Sequence, residues 1–208
     1  MPKSTKKWSK WWAERKIDWK TSYQNWQHPH RYLISSLLSR FQWTSLLEIG
    51  CGAGANLINI VQRHPSKQLG GIDINPEAID LLSKTIKGAY LKVGSVEDIA
   101  MSDNSTDVIL SDMALIYIDP FKIDKVIGEI KRVARSHIVF CEFHSTSIYA
   151  RLKLRLTSGY NAYNYKKLLA KHGFYDVKLY KIPEEMWPGG EPQKSFGYII
   201  HARLIKRK

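Results

Sequence analysis

A glycine-rich segment preceded by a carboxylate is the feature of the sequence with the clearest chemical potential. It reads Glu48-Ile49-Gly50-Cys51-Gly52-Ala53-Gly54. Glycines let the backbone turn sharply and let a ligand approach it closely, and the helix that follows presents free N–H groups. Such a turn is typical of nucleotide sites, and its spacing also satisfies the permissive dinucleotide pattern. The carboxylate of Glu48 favours a cationic ligand group over a pyrophosphate.

Acidic and polar residues also follow the later strand-like runs. Asp73 lies 19 residues after Gly54, close to the ~20-residue spacing at which nucleoside sites place an acid for the ribose hydroxyls. Capping of the next helix is the alternative role for Asp73, although Asn75 could also serve there. Ser95 follows the third run and Asp112 follows the fourth, so both are expected at the same edge of a sheet.

Short apolar runs alternate with amphipathic ones from residue 44 onward, and these elements must position the polar residues. Strands are predicted at 45–49, 68–73, 89–93, 107–111, 136–141, 174–182 and 197–205. Helices are predicted at 55–63, from Pro76, from Asp119-Pro120, and at 162–171 with a stop at Gly173. The alternation predicts an α/β, doubly wound sheet of about seven strands, mostly parallel, with one antiparallel strand from a C-terminal hairpin.

The segment LLEIGCGAG resembles the first motif of class I S-adenosylmethionine-dependent methyltransferases, which have a Rossmann-like fold. The resemblance covers about residues 44–205, including the order of elements and the closing hairpin. It implies a methyltransferase with S-adenosylmethionine as cofactor. It also implies that the glycine loop holds the methionine end of the cofactor and that Asp73 binds both ribose hydroxyls.

The resemblance further assigns residues to the cofactor and acceptor sites. Ser95-Val96-Glu97-Asp98 follows the third strand, after which the family contacts adenine, often through an aspartate. In this sequence three groups are alternatives for that polar contact: Ser95, the Val96 N–H and Glu97. Asp112, Met113 and Leu115 match the family's lining positions, with ordinary core packing as the alternative for Met113 and Leu115. Tyr117 falls where many small-molecule methyltransferases of the family carry histidine. The cofactor-binding set is Glu48, Gly50, Cys51, Gly52, Gly54, Asp73, Ile74, Ser95, Val96, Asp112 and Met113.

A general base is needed only if the acceptor must lose a proton. The candidates at strand ends are Asp112, Glu142 and His144, of which Asp112 and His144 rank first as catalytic residues. His28 and His30 could reach the same edge if the N-terminal segment folds over it. A structural hydrogen bond is the more common role for any single histidine.

The two cysteines are not expected to react or to bind metal. Cys51 has no basic neighbour in sequence, so it is expected to pack or to contact cofactor through its backbone. Cys141 lies in an apolar strand and is expected in the core. No CxxC or Cys/His cluster has the spacing of a zinc site, so no metal is predicted.

Residues 1–43 form a separate, Trp-rich region with six of the seven tryptophans. Trp8, Trp12 and Trp19 fall near one stripe of a predicted helix. Packing against the main domain, a lid over a ligand, and base stacking on nucleic acid are the three interpretations. The predicted organisation is a helical extension over 1–43 and a methyltransferase domain over 44–208.

The net charge of +13 is concentrated at the two ends. Residues 1–20 carry +5 and residues 151–208 carry +9, whereas 21–150 carry −1. Basic ends attract anionic partners or serve only as a solvated surface. The leading hypothesis is a small-molecule or glycan-type acceptor, which the charge suggests is anionic. An RNA or protein methyltransferase and a non-catalytic nucleoside- or nucleic-acid-binding domain are the alternatives.

Two further segments are predicted to shape the acceptor site. The hairpin loop Trp187–Phe196 should emerge beside the site, and residues 143–165 are long enough for a substrate-specific insertion that exposes Arg151, Lys153 and Arg155. No apolar run approaches the length of a membrane span, and the first residues do not resemble a signal peptide, so a cytoplasmic protein is expected.

Overall fold

A seven-stranded sheet organises the part of the chain that the computed structural model describes, residues 5–24, 28–187 and 190–205. Its strand order is β3-β2-β1-β4-β5-β7-β6. Strand β7 is antiparallel to both of its neighbours, and all the other pairs are parallel. The strands are β1 (Ser45–Ile49), β2 (Gln68–Asp73), β3 (Tyr90–Val93), β4 (Thr106–Asp112), β5 (Ala134–Phe143), β6 (Tyr175–Lys181) and β7 (Gly197–Arg203).

Helices cover both faces of this sheet. The α-helices are α1 (Thr5–Ala13), α2 (His30–Leu38), α3 (Ala55–Arg63), α4 (Pro76–Thr85), α5 (Ile123–Val133), α6 (Ile148–Ser158), α7 (Tyr165–Lys171) and α8 (Gln193–Phe196). A π-helix spans Lys20–Gln24, and 3-10 turns span Leu115–Tyr117 and Glu184–Met186. Helices α2, α3 and α4 pack on one face, and α5 and α7 pack on the other. This is the doubly wound α/β arrangement that the sequence predicts.

The predicted elements agree best with the structure in the first half of the domain. The bounds of β1, α3 and β2 are as predicted, and α4 begins at Pro76. The side chain of Asn75 caps α4 by accepting a hydrogen bond from the Ala78 N–H at 3.0 Å, so Asn75 takes the capping role that was the alternative for Asp73. The C-terminal hairpin with one antiparallel strand is also confirmed.

Two helices begin later than predicted, because polar side chains hold the preceding backbone in turns. The side chain of Asp119 accepts the Phe121 N–H at 3.0 Å, and α5 begins only at Ile123. The side chain of Asn161 donates to the Ile116 and Ile118 carbonyl oxygens, so α7 begins at Tyr165 instead of Ala162.

The N-terminal region lies against the domain over the carboxyl ends of the strands. Trp8 and Trp19 are buried, but α1 ends at Ala13, so the predicted single stripe of Trp8, Trp12 and Trp19 on one helix is wrong. The indole N–H of Trp8 donates to the Gly159 carbonyl oxygen at 3.2 Å. Trp26 and the basic residues 1–4 and 206–208 lie outside the described residues.

Residues 143–165 contain helix α6, which the sequence analysis did not predict. Of the three basic residues expected to be exposed there, only Lys153 is exposed, whereas Arg151 and Arg155 are partly buried. Arg155 pairs with Asp119 at 2.9 Å. Among the described helices, none combines the length and apolarity that crossing a bilayer requires.

The glycine loop supplies a stability prediction with an internal control. Gly54 and Gly88 have nearly the same left-handed φ, +81° and +79°. A Cβ on Gly54 would lie 2.2 Å from Leu82 Cδ1, whereas a Cβ on Gly88 would meet nothing within 4 Å. We expect Gly88→Ala to cost about 1–2 kcal/mol of unfolding free energy and Gly54→Ala roughly 1–3 kcal/mol more because of overpacking. Urea unfolding followed by circular dichroism measures both, and equal losses would contradict the packing role of Gly54.

Candidate active site

The glycine loop joins β1 to α3 and is held against the end of β2. The Gly50 and Cys51 N–H groups both donate to the Ile72 carbonyl oxygen, at 2.8 and 3.0 Å. Gly50 has a φ of +66°, and a Cβ there would lie 2.4 Å from the Ala114 Cβ. The loop therefore needs glycine at this position both for its left-handed turn and for its contact with the segment after β4.

Asp73 braces this loop from the end of β2. Its Oδ2 accepts the Gly52 N–H and its Oδ1 accepts the Asn75 N–H, each at 2.8 Å. Burial raises the pKa of Asp73 above its ordinary value, against the lowering effect of these backbone donors. The carboxylate also lines a cavity, and each of its oxygens keeps capacity to accept another hydrogen bond.

That cavity has a volume of about 350 Å³ and lies at the carboxyl ends of β1, β2 and β4, where ligands bind in open α/β sheets. Of the predicted cofactor residues, ten line it: Glu48, Gly50, Cys51, Gly52, Asp73, Ile74, Ser95, Val96, Asp112 and Met113. Gly54 is not among its lining residues and instead packs against Leu82. The structure thus brings together residues that are up to 65 positions apart in the sequence.

Two buried carboxyl groups share one amide at the centre of the cavity wall. The Asn56 Nδ2 atom donates to Glu48 Oε1 at 2.7 Å and to Asp112 Oδ2 at 3.0 Å. Glu48 Oε2 and Asp112 Oδ1 are buried and have no hydrogen-bond partner among the residues that the structure describes. Burial raises the pKa of Glu48 to about 8, so this side chain is mostly protonated at pH 7. A cation bound beside this acid would favour its ionised form and cause it to release the proton.

A histidine pair from the N-terminal region completes this network. His30, the first residue of α2, places Nε2 at 2.9 Å from Asp112 Oδ2 and Nδ1 at 2.7 Å from His28 Nδ1. Burial would raise the pKa of Asp112, but the charge and hydrogen bond of His30 outweigh it, and the pKa lies below its usual range. Asp112 is therefore ionised and orients His30. The ring of Trp187 stacks on His30 with centroids 4.8 Å apart.

Aromatic rings roof the cavity. Trp8 lies 4.8 Å from Tyr117 and 5.9 Å from Tyr160, measured between ring centroids. Trp19 is buried beside the glycine loop, and its indole N–H has no hydrogen-bond partner. Burial raises the pKa of Tyr117 well above its model-compound value, so its hydroxyl stays neutral. The roof consists of Trp8, Trp12, Trp19, Tyr23, Tyr117 and Tyr160.

The other end of the cavity is formed after β3. Ser95, Val96 and Glu97 all line it, which is where the resemblance expects contact with adenine. The Ser95 hydroxyl accepts the Glu97 N–H at 3.1 Å, and the Glu97 carboxylate pairs with Lys122 at 2.8 Å. Both side chains therefore already have a partner, and which of these groups contacts adenine stays a prediction.

Some of the predicted site residues lie elsewhere. His144 is buried and does not line the cavity; its Nδ1 accepts the Tyr165 N–H at 3.2 Å. Leu115 is part of the core, which was the alternative for that position. Glu142 is fully buried and accepts four hydrogen bonds, from the Ser111 hydroxyl and from three N–H groups at the start of the turn Leu115–Tyr117. Glu142 therefore positions the turn that carries Tyr117.

The cysteines agree with their predicted packing roles. Burial raises the pKa of both Cys51 and Cys141 well above the ordinary value, so neither is a thiolate at neutral pH. Within the residues that the structure describes, the donor atoms of His30, Asp112 and Cys141 lie within 4.8 Å of one another, a grouping that could hold a metal ion. Because the His30–Asp112 hydrogen bond already joins two of these three groups, we treat the grouping as part of the hydrogen-bond network.

The sequence analysis missed several members of the site. Asn56, Arg31, Tyr23 and Tyr160 all line the cavity. The available signal was an asparagine near the start of an otherwise apolar helix, because a buried amide requires hydrogen-bond partners. No sequence pattern indicated the two tyrosines, which reach the cavity only through tertiary packing.

Comparison with known proteins agrees with this geometry. Residues 46–137 match the family described as "Methyltransferase domain". An uncharacterized methyltransferase from Mycobacterium bovis is 30% identical over 90 residues, which are 43% of this chain and 35% of that protein. The chain spans less than half the length of the curated relatives it matches.

Solved structures share the whole architecture. A Methanosarcina mazei protein described as a SAM-dependent methyltransferase has a TM-score of 0.63 at 19% identity and covers 83% of this chain and 98% of its own. A putative methyltransferase from Haloferax volcanii, solved in complex with the Trm112 methyltransferase activator, has a TM-score of 0.69 at 15% identity over 100% of both chains. These likenesses confirm the Rossmann-like methyltransferase fold.

The family match over residues 46–137 and the shared fold together support a class I S-adenosylmethionine-dependent methyltransferase.

Asp73 should control cofactor affinity. The Asp73→Asn variant keeps the size of the side chain but loses a charged acceptor, which is worth about 1.5–3 kcal/mol. We therefore expect its affinity for S-adenosylhomocysteine to fall by roughly 10- to 100-fold in isothermal titration calorimetry. Asp80→Asn, an exposed change on α4, is the control and should bind normally. Unchanged affinity of Asp73→Asn would show that this carboxylate does not contact the cofactor.

Glu48 should release its proton when the cofactor binds. Its carboxyl is mostly protonated below pH 8, and a cationic group beside Oε2 would favour the ionised form, so affinity should rise as the pH increases toward 8. Calorimetric titration with S-adenosylmethionine in buffers of different ionisation enthalpy measures the protons released. We expect release at pH 7 from the wild type and from Glu97→Gln, and much less from Glu48→Gln. Equal release from all three would contradict this assignment.

Proposed function

We propose that this chain transfers a methyl group from S-adenosylmethionine to a small acceptor that carries a hydroxyl group and binds under the aromatic roof. The observation that carries the proposal is the chain of contacts from Asp112 through His30 to His28 along one wall of the cavity. This wall faces the same space as the glycine loop and Asp73.

The residues of the cavity suit the cofactor. Glu48 Oε2 and Asp112 Oδ1 are buried carboxyl oxygens without partners, and cationic groups such as an ammonium or a sulfonium would satisfy them. Asp73 would accept the ribose hydroxyls, and residues 95–97 would border the adenine. S-adenosylmethionine supplies a methyl group already activated on a sulfonium, so the protein must mainly align the acceptor and exclude water.

The His28–His30 pair is placed to take a proton from the acceptor, with His28 as the member that would contact it. A carboxylate only accepts hydrogen bonds, so the Nε2 of a neutral His30 carries the proton toward Asp112, and its Nδ1 accepts the Nδ1–H of His28. Asp112 would stabilise a positive charge that develops on His30. A proton from the acceptor could then pass to this pair through His28, which also lines the cavity.

The cavity favours a small and neutral acceptor. A volume of about 350 Å³ is at the lower end of ligand pockets, and its roof is made of aromatic rings. Its formally charged lining residues are four acids and one arginine: Glu48, Asp73, Glu97, Asp112 and Arg31. The lining residues therefore do not carry the surplus of positive charge that the sequence has. For this reason the cavity favours a neutral acceptor over the anionic one that the net charge suggested.

The first test is a transfer assay with methyl-labelled S-adenosylmethionine and a panel of phenols, sugars, amines, total RNA and protein. We expect label on a small hydroxyl compound. Label on RNA or protein alone would contradict the small acceptor and support the macromolecular alternatives. No transfer, together with normal cofactor binding, would support a non-catalytic nucleoside-binding domain.

The second test concerns the base. With the hydroxyl acceptor, His30→Gln should lower kcat by roughly 10²- to 10⁴-fold, the usual contribution of a general base. His172→Gln is the matched control, because His172 forms the same 2.9 Å pair with Asp124 away from the cavity. A kcat of His30→Gln within a few-fold of the control would contradict the base assignment.

A further inference from the structure

Helix α6 presents an apolar face to solvent. Ile148 is 75% exposed, Tyr149 76%, Leu152 54% and Leu156 70%. Successive residues of an α-helix are about 100° apart, so these four side chains lie within one arc of roughly 100°. Buried Leu154 lies on the opposite side and attaches the helix to the domain. The exposed arc therefore has no role in the packing of this chain.

The same surface includes a residue from another segment. Phe121 is 93% exposed and lies two residues after Asp119. Asp119 pairs with Arg155 of α6 at 2.9 Å, which fixes Phe121 close to this helix. We call Phe121, Ile148, Tyr149, Leu152 and Leu156 the α6 surface. Several exposed apolar side chains on neighbouring segments usually mark an interaction site.

The α6 surface adjoins the wall of the cavity. Gly159, which ends α6, accepts the indole N–H of Trp8, and the next residue, Tyr160, lines the cavity. A partner bound to the α6 surface would thus contact the enzyme next to the site of methyl transfer.

Charge indicates the chemistry of that partner. The segment IYARLKLRLTS has three basic residues and no acidic one, and one of the three, Arg155, pairs with Asp119. Lys153 is exposed at one edge of the apolar arc, and Arg151 and Arg155 lie at the other. An apolar arc with basic edges and an aromatic residue is typical of helices that lie in the interface of an anionic membrane.

We propose that the α6 surface docks onto an anionic phospholipid bilayer, with the apolar arc inserted among the acyl chains near the headgroups. A second copy of this chain is a poorer partner, because a symmetric contact would bring like charges together. A protein partner would need both an apolar groove and acidic edges. The proposal concerns binding only, so it does not depend on the acceptor or on the base.

Vesicle co-sedimentation of the full chain tests the proposal. Vesicles of phosphatidylcholine with 30% phosphatidylglycerol should bind the wild type at least tenfold more tightly than pure phosphatidylcholine vesicles. The double variant Leu152→Ser/Leu156→Ser should lose at least tenfold of this binding, because it removes two inserted side chains. Ile205→Ser, a change at a 74% exposed apolar residue outside the α6 surface, should bind as the wild type does. Lys153→Glu should weaken binding to the anionic vesicles.

Several outcomes would overturn the proposal. The first is that the wild type binds neither kind of vesicle. The second is that Leu152→Ser/Leu156→Ser binds vesicles as well as Ile205→Ser does. The third is that light scattering shows a dimer of the wild type that Leu152→Ser/Leu156→Ser dissociates. Calorimetry with S-adenosylhomocysteine verifies that each variant is folded. A failure of vesicle binding with normal methyl transfer would reject only this proposal, whereas normal vesicle binding without transfer would reject only the proposed function.

Discussion

The site depends on one amide that holds two buried carboxyl groups together. Asn56 donates both of its Nδ2 hydrogens, one to Glu48 and one to Asp112. Glu48 is the last but one residue of β1 and Asp112 is the last residue of the neighbouring parallel strand β4, so the sheet itself brings them close to each other. Two ionised carboxylates at this distance would repel each other strongly in a buried site. The structure resolves this by keeping Glu48 mostly protonated and Asp112 ionised, and environments that push two pKa values apart are typical of active sites.

The N-terminal region is part of this electrostatic arrangement. The hydrogen bond from His30, together with its charge when the ring is protonated, holds Asp112 in its ionised form. Trp8 and Trp19 from the same region close the cavity above the strand ends. Without these residues the two acids would face water, and the difference between their pKa values would shrink. Residues 5–24 and 28–43 therefore pack against the main domain and also line the cavity.

Sequence patterns predicted the sheet and the cofactor side of the cavity because those features are local. The pattern of apolar residues predicted the first and last residues of β1, α3 and β2 correctly, and the glycine spacing located the loop. The acceptor side depends on contacts over long separations, such as His30 with Asp112, 82 residues apart, and Trp8 with Gly159, 151 apart. His144 illustrates the limit: its place after β5 suggested a site residue, but its hydrogen bond with Tyr165 turns it toward α7.

Met113 has a left-handed backbone conformation at the point where the two sides of the cavity meet. Met113 has a φ of +57° directly after Asp112, and its N–H donates to the Cys141 carbonyl oxygen at 2.9 Å. Such a conformation costs about 1–3 kcal/mol and persists only where the surroundings impose it. Here Glu142 imposes it, since its carboxylate gathers the N–H groups of the turn that follows. The same turn presents Tyr117 to Trp8, and Trp8 contacts the end of α6. The buried acid of β5 thereby fixes both the roof of the cavity and the position of the exposed helix beside it.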